Sequence, residues 1–216
     1  MHVVVPVENA IPIDVYNMEQ VEEDENTHEK QLAASNRVRV ANRLVYLRTP
    51  VMQSVLRIRS GICSLFRASL EAQGFIEIQT PKLQPAATES GAEVFRVNYF
   101  GRNAFLAQSP QLAKQTAISA DLGRVFEIGP VFRAEDSNTH RHLTEYTGLD
   151  LEMMIQKDYH EAMDVIDEML KSIFKGIYSR YRKEIDNIKT RFPHEDLVWL
   201  DQTPRLTFKE GVQLLN

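Results

Sequence analysis

The chain has 216 residues, 43% of them hydrophobic, and carries 25 basic against 30 acidic side chains for a net charge of −5. That is enough apolar material for one sizeable core with an appendage, and the acidic balance does not mark the whole chain as a nucleic-acid binder. A lone cysteine, Cys63, excludes an internal disulfide framework or a cysteine-based zinc site. No run approaches the ~20 apolar residues of a membrane span, and the opening MHVVVPVENAIPIDV has no basic region ahead of its apolar one, so a soluble cytoplasmic protein is expected.

In chain order, a short apolar head, His2 to Val15, precedes an acidic run at Glu22, Glu23, Asp24 and Glu25. Residues 1–20 read as the remnant of a preceding segment or a hinge, and residues 21–42 as an acidic linker and approach, mobile or loop-like to about Gln31. Basic residues then cluster at Arg37, Arg39, Arg43 and Arg48, with Arg57, Arg59 and Arg67 further on. They suit either a nucleic-acid backbone or a solvated face of intramolecular ion-pair donors. Val51, Val55, Ile58, Ile62, Leu65, Phe66 and Leu70 recur at helical spacing, Gly74 stops that helix, and Phe75–Ile78 reads as a short strand. Pro81 cannot donate to a sheet ladder and belongs at a strand end or edge.

Thr88–Ala92 is a small, polar loop. Two strands, Val94–Phe100 and Ala104–Gln108, are expected around a hairpin loop at Gly101-Arg102-Asn103. Pro110 opens a helix after Ser109 as N-cap, and on it Gln111 and Lys114 stand three apart, on one face. In FEIGPVFRAEDSNTHRHLTEYTGLDLE, Phe126, Ile128 and Phe132 alternate before a polar loop, and Leu149, Leu151 and Met153 alternate after it. This predicts an antiparallel pair of half-buried strands. The loop from Ala134 to His142 sets cations at Arg133, Arg141 and His142 beside acceptors at Glu135 and Asp136, which suits a nucleotide or a charged hairpin tip. His140 and His142 lack the carboxylate pattern of a metal site. A long amphipathic helix is expected from an Asp158 N-cap to about Ile188, then a short strand at Arg205–Glu210 leading into a helix start.

The motifs carry a family resemblance. Phe132-Arg133-Ala134-Glu135, followed by His142, Tyr146 and Asp150 four apart, resembles the motif 2 hairpin of class II aminoacyl-tRNA synthetases. The run RAEDSNTHRHLTE is similar to the aspartyl-tRNA synthetases of the eukaryotic cytosolic and archaeal type. Gly74 to Leu83 resembles motif 1, which implies a homodimer interface at Pro81, and QSPQLAKQ resembles the amino-acid-binding segment. The implied fold is α/β in the α+β sense, an antiparallel sheet flanked by helices. The implied activity is ATP-dependent formation of aspartyl-adenylate and transfer of aspartate to tRNA(Asp).

By the same resemblance Arg133 is the catalytic arginine, on the α-phosphate and the substrate carboxylate. Glu135, Arg141, His142, Leu143 and Tyr146 complete an ATP site, Tyr146 standing where phenylalanine is usual. Glu89, Gln111, Lys114 and Arg133 would hold L-aspartate, with Lys114 on its side-chain carboxylate. Glu89 lies in a flipping loop whose usual glycine is Ser90 here. The resemblance covers roughly Arg43 to Asn216 and stops before motif 3, so Mg²⁺ ligands and a second carboxylate-binding arginine are expected downstream. The isolated chain is expected to fold with an unpaired sheet edge and to activate aspartate poorly. An asparagine synthetase-like paralogue and a non-catalytic partner of a full-length synthetase are the alternative functions. Membership of a larger assembly of synthetases is a further implication.

Overall fold

The computed structural model describes residues 15, 18, 21–23, 30–32, 34–87, 94–137, 139 and 141–215, with 21–23 and 30–32 described by backbone alone. The apolar head up to Asp14, the Thr88–Ala92 loop with Glu89 and Ser90, and His140 lie outside the described residues.

The chain opens with strands β1 (Val21–Glu23) and β2 (Lys30–Leu32), then helices α1 (Asn36–Ala41), α2 (Arg43–Tyr46) and the long α3 (Pro50–Ala72). Strands β3 (Ile76–Glu77), β4 (Leu83–Gln84), β5 (Arg96–Tyr99) and β6 (Arg102–Leu106) follow, and then helix α4 (Gln111–Ala117). Strands β7 (Arg124–Phe132) and β8 (Glu145–Met153) form a long ribbon, before helices α5 (His160–Arg180), α6 (Arg182–Arg191) and α7 (Phe208–Leu215). Two compact units result: Met1–Gly61 with Gly176–Val198, and Ile62–Lys175 with Trp199–Asn216. Among the described residues no helix is long and apolar enough to cross a membrane.

In the first unit the acidic stretch expected as a loop begins and ends in an antiparallel pair, Val21 opposite Leu32 and Glu23 opposite Lys30. The approach to residue 42 is also more ordered than expected. Ser35, in extended backbone, accepts from Val38 N at 3.4 Å and starts α1, the N-cap role serine plays well. On α6, Asn187 Nδ2 donates to Ser54 Oγ at 3.2 Å and Arg191 donates to the Tyr46 hydroxyl at 3.3 Å.

In the second unit α3 ends as its sequence predicts, and its last backbone groups show why. Gly74 takes φ 78°, its N–H reaches Glu71 O and the Phe75 N–H reaches Leu70 O, each at 3.0 Å. This is a Schellman closure, and buried Phe75 and Leu70 supply its apolar contact. The chain then enters β3, which runs parallel to β7 with Ile76 opposite Val125, while β7 and β8 pair antiparallel over nine residues. A second sheet, in order β4-β6-β5, is antiparallel throughout. The core is built on Leu65, Phe66 and Leu70 of α3, Val125 and Phe126 of β7, and Val165, Met169 and Ile173 of α5. The Phe66 and Phe126 rings meet edge to face at 5.8 Å.

Four local expectations need correction. Tyr99 pairs directly with Arg102, so the β5–β6 turn is Phe100-Gly101, and Arg102 and Asn103 belong to β6. Both turn residues have positive φ, 50° and 79°, as a two-residue hairpin of this twist requires. Pro110, not Ser109, occupies the cap of α4, although Ser109 Oγ still accepts from Gln111 N at 3.4 Å. The long helix expected to run to Ile188 breaks at Tyr181, whose φ of −125° leaves the helical region, giving α5 and α6. Arg205–Thr207 forms no strand; it is irregular chain held to α5 by Arg205–Asp164 and Thr203–Asp167 contacts, and Thr207 with Glu210 caps α7.

Candidate active site

The β7–β8 ribbon is the scaffold of the site. Its ladder ends at Phe132 opposite Glu145, and one further bond, Arg133 N to Thr144 O at 3.0 Å, holds the mouth of the loop closed. Beyond it Arg133, Glu135, Arg141, His142, Leu143 and Tyr146 line a single cleft of about 360 Å³. All six residues expected to hold ATP are therefore brought to one concavity.

Arg133 is the least satisfied of them. Its Nε is buried with no hydrogen-bond partner, while its guanidinium carbon lies 5.9 Å from the centre of the Tyr146 ring. A buried donor without an acceptor costs free energy that an anionic ligand would recover. His142 is braced by Thr139, with 2.6 Å between Nδ1 and the hydroxyl, and its Nε2 stands 3.9 Å from Glu135 Oε2. The cleft thus offers cations, one carboxylate acceptor and an aromatic face, the three kinds of contact a purine nucleotide uses.

Further along the ribbon, Tyr146, Gly148, Asp150 and Glu152 share one face of β8 because side chains alternate with period two. Opposite them on β7 stand Val131, Gly129, Glu127 and Val125. The glycine pair lets neighbouring side chains lie close over this face. A Cβ on Gly148 would fall 2.6 Å from Asp150 Oδ2, and one on Gly129 would fall 3.1 Å from Glu127 Oε1. Side chains at these positions would displace the Asp150 and Glu127 carboxylates.

Lys114 reaches this face from α4. It is 5% exposed, and its Nζ lies 3.2 Å from both Asp150 Oδ1 and Leu151 O, and 3.5 Å from Glu152 Oε2. This explains why Asp150 and Glu152 are half-buried on β8 while Leu149, expected to face the core, is 39% exposed. Gln111, one turn earlier on α4, is exposed, so the two residues differ in setting despite their shared spacing. Pro81 is exposed between β3 and β4, where its carbonyl accepts from Gln84 Nε2 at 2.5 Å. Among the described residues there is no cluster of three or more His, Cys, Asp or Glu with metal-binding geometry.

Sequence reasoning missed Glu127. It is 3% exposed and is held by Thr80 N at 3.0 Å, the Thr80 hydroxyl at 2.7 Å and Lys82 Nζ at 2.8 Å. Burial pushes its pKa up, but the Lys82 and Thr80 hydrogen bonds outweigh that and hold it below the ordinary 4.5. A carboxylate with a depressed folded-state pKa contributes stability that is present above the unfolded value and lost as pH falls through the folded one. Glu127→Gln is therefore expected to cost about 2–3 kcal/mol near neutrality, since it turns one acceptor into a donor facing donors. In denaturant titrations the gap to the native protein should narrow as pH drops below 4.5; a gap that stays constant into acid would refute the ionic role.

A long β7–β8 ribbon with a cationic, aromatic-lined loop, edged by β3 and packed against helices, is the architecture of a class II synthetase-type domain. The family model for tRNA synthetases class II (D, K and N) matches residues 35–215, and the chain belongs to that family. It is 53% identical over 186 residues to a cytoplasmic aspartate–tRNA ligase of Dictyostelium discoideum, covering 86% of this chain and 32% of the relative. The human cytoplasmic aspartate–tRNA ligase is 51% identical over 193 residues, covering 89% of this chain and 38% of the relative. An aspartyl-tRNA synthetase structure from Entamoeba histolytica superposes with a TM-score of 0.79 at 38% identity, over 99% of this chain and 42% of that one. The chain thus spans about a third of the length of the curated relatives it matches.

Proposed function

We propose that this chain supplies the ATP- and aspartate-binding part of a cytoplasmic aspartate–tRNA ligase. What carries the proposal is the cleft in which Arg133, with a buried and unpartnered Nε, faces Tyr146 and is joined by Glu135, Arg141, His142 and Leu143. In the reaction an oxygen of the aspartate α-carboxylate attacks the α-phosphorus of ATP. The bond to the bridging oxygen breaks and pyrophosphate leaves; in a second step a terminal hydroxyl of tRNA(Asp) attacks the aspartyl carbonyl, and AMP leaves. Two anions approach one another in the first step, so a preset cation at the reacting phosphate lowers the barrier.

Arg133 serves that role and holds the substrate carboxylate, Glu135 accepts from the adenine amino group, and Tyr146 stacks on the ring. Arg141 and His142 meet the outer phosphates, with Leu143 lining the same cleft. Lys114 selects the aspartate side chain. Asp150 and Leu151 O occupy two of its three N–H donors, and the substrate carboxylate would take the third by displacing the longer ion pair to Glu152 at 3.5 Å. Glu89 and Gln111 complete the aspartate contacts. Mg²⁺ on the phosphates would be held by acidic residues in the remainder of the ligase, and the subunits would pair through the edge at Pro81.

The test is aspartate-dependent ATP–pyrophosphate exchange by the full ligase that contains this segment. Exchange is expected with aspartate and about a hundredfold or more weaker with asparagine, because a neutral amide leaves Lys114 short of an ion partner. Equal or preferential use of asparagine would overturn the assignment.

A further inference from the structure

The arginines that precede α3 have no part in the adenylate chemistry, yet two of them converge with a third from α6 on one tyrosine. The guanidinium carbons of Arg39, Arg43 and Arg191 lie 5.6, 5.8 and 5.8 Å from the centre of the Tyr46 ring. No two of them can be further apart than about twice that distance, so three positive charges crowd one small volume. Arg39 is 6% exposed, and the polar contact it makes is Nε to Ser35 O at 3.5 Å. Arg191 Nε is buried with no hydrogen-bond partner. Among the described residues none of the three arginines forms an ion pair with a carboxylate. Of the carboxylates on and just after α6, Asp186 is paired with Arg182 and Asp196 with Arg182 and Lys189, while Glu184 and Glu195 pair with none of the three arginines.

Tyrosine faces ease this crowding through cation–π attraction but do not neutralise it. A half-buried guanidinium with one orphaned donor, beside two like charges, is the arrangement of a site that receives an anion. Arg43 is exposed and Arg191 half-buried, with one Arg191 nitrogen donating to the Tyr46 hydroxyl, so these two are the solvent-accessible members of the cluster while Arg39 is buried beneath them. Planar, bidentate donors of this kind match phosphate oxygens better than a single carboxylate can satisfy them. Exposed Arg37 and Arg48 on the same stretch lengthen the cationic surface beyond what one small anion would need, which favours a repeating polyanion.

We propose that Arg43 and Arg191, backed by Arg39 and Tyr46, form a phosphate-binding site for an RNA backbone, sharing no residue with the nucleotide cleft. The site reads charge and spacing, not sequence. It stands whether or not aspartate is the amino acid activated.

The experiment is fluorescence anisotropy of labelled transfer RNA on the full protein across a salt series, with inorganic phosphate as a second probe. The double variant Arg43→Gln/Arg191→Gln is expected to weaken RNA binding about tenfold and to reduce the salt slope by about two, one for each phosphate no longer neutralised. Arg191→Lys should restore part of the slope and less of the affinity, because charge returns without the fork. Both variants leave buried Arg39 in place, and a cooperative melt at the native temperature confirms that they fold. Nucleotide exchange is a separate readout: loss of exchange with intact RNA effects would sink the ligase proposal and spare this one. Unchanged affinity and slope in the double variant would overturn the RNA site. So would protection of these arginines by phosphate alone with RNA binding indifferent to the variants.

Discussion

Arg133→Gln is expected to lower aspartate-dependent pyrophosphate exchange by about two to three orders of magnitude, the loss typical of removing one preset charge-stabilising donor. The same change should leave the melting temperature unchanged or slightly raised. Arg133 Nε is buried without an acceptor, so the native fold carries the cost of that donor without return. Its interaction with the Tyr146 face, at 5.9 Å, is the stabilising contact that glutamine would forfeit, and it is of the weaker kind. Function and stability should therefore move apart, as they do where a site is held ready for a ligand. Arg133→Lys sharpens the result. It keeps the charge but loses the fork, and is expected to recover little of the exchange if two phosphate or carboxylate oxygens are gripped at once. A variant that melts several degrees lower yet keeps exchange within about threefold would mark Arg133 as a structural residue, the outcome expected of an ordinary buried contact.

Much of this site is legible in the sequence because its members are local. Arg133, Glu135, Arg141, His142, Leu143 and Tyr146 lie within one hairpin, and two alternating runs around a polar loop already specify that hairpin. The end of α3 is legible for the same reason, since the Gly74 signal acts within one turn. What the sequence conceals depends on register and on partners distant along the chain. Glu127 looks like the polar member of an alternating strand. It is buried because the segment with Thr80 and Lys82, nearly fifty positions earlier, folds onto its carboxylate. Gly129 and Gly148 are ordinary singly, and make room for the Glu127, Lys82 and Asp150 side chains only when the β7–β8 register sets them opposite each other. Tyr181 ends α5 although the apolar spacing runs on, because periodicity reports a face and not the continuity of the backbone. The arginine cluster is visible as a run of charge, but its convergence needs Arg191, contributed from the far end of the chain.

Lys114→Met should be the most destabilising change at the amino-acid end of the site, about 2–4 kcal/mol by denaturant unfolding. Methionine fills the space of the lysine stem, so the loss reports charge and not a cavity. The ammonium is nearly buried and is shared by Asp150 Oδ1, Leu151 O and Glu152 Oε2; without it two like-charged carboxylates stand side by side on one face of β8. Those carboxylates retain 30% and 24% side-chain exposure, which lets water relieve part of the repulsion and places the loss below that of a fully buried pair. The cycle that isolates this is Lys114→Met combined with Glu152→Gln. Removing one of the two opposed charges should restore at least half of the lost stability if like-charge repulsion is the cause. Discrimination between aspartate and asparagine should not return with stability, because the cation that tells them apart is still gone. If instead stability and discrimination recover together in the double variant, Lys114 acts only by holding β8 in place, and the selector must lie on another residue.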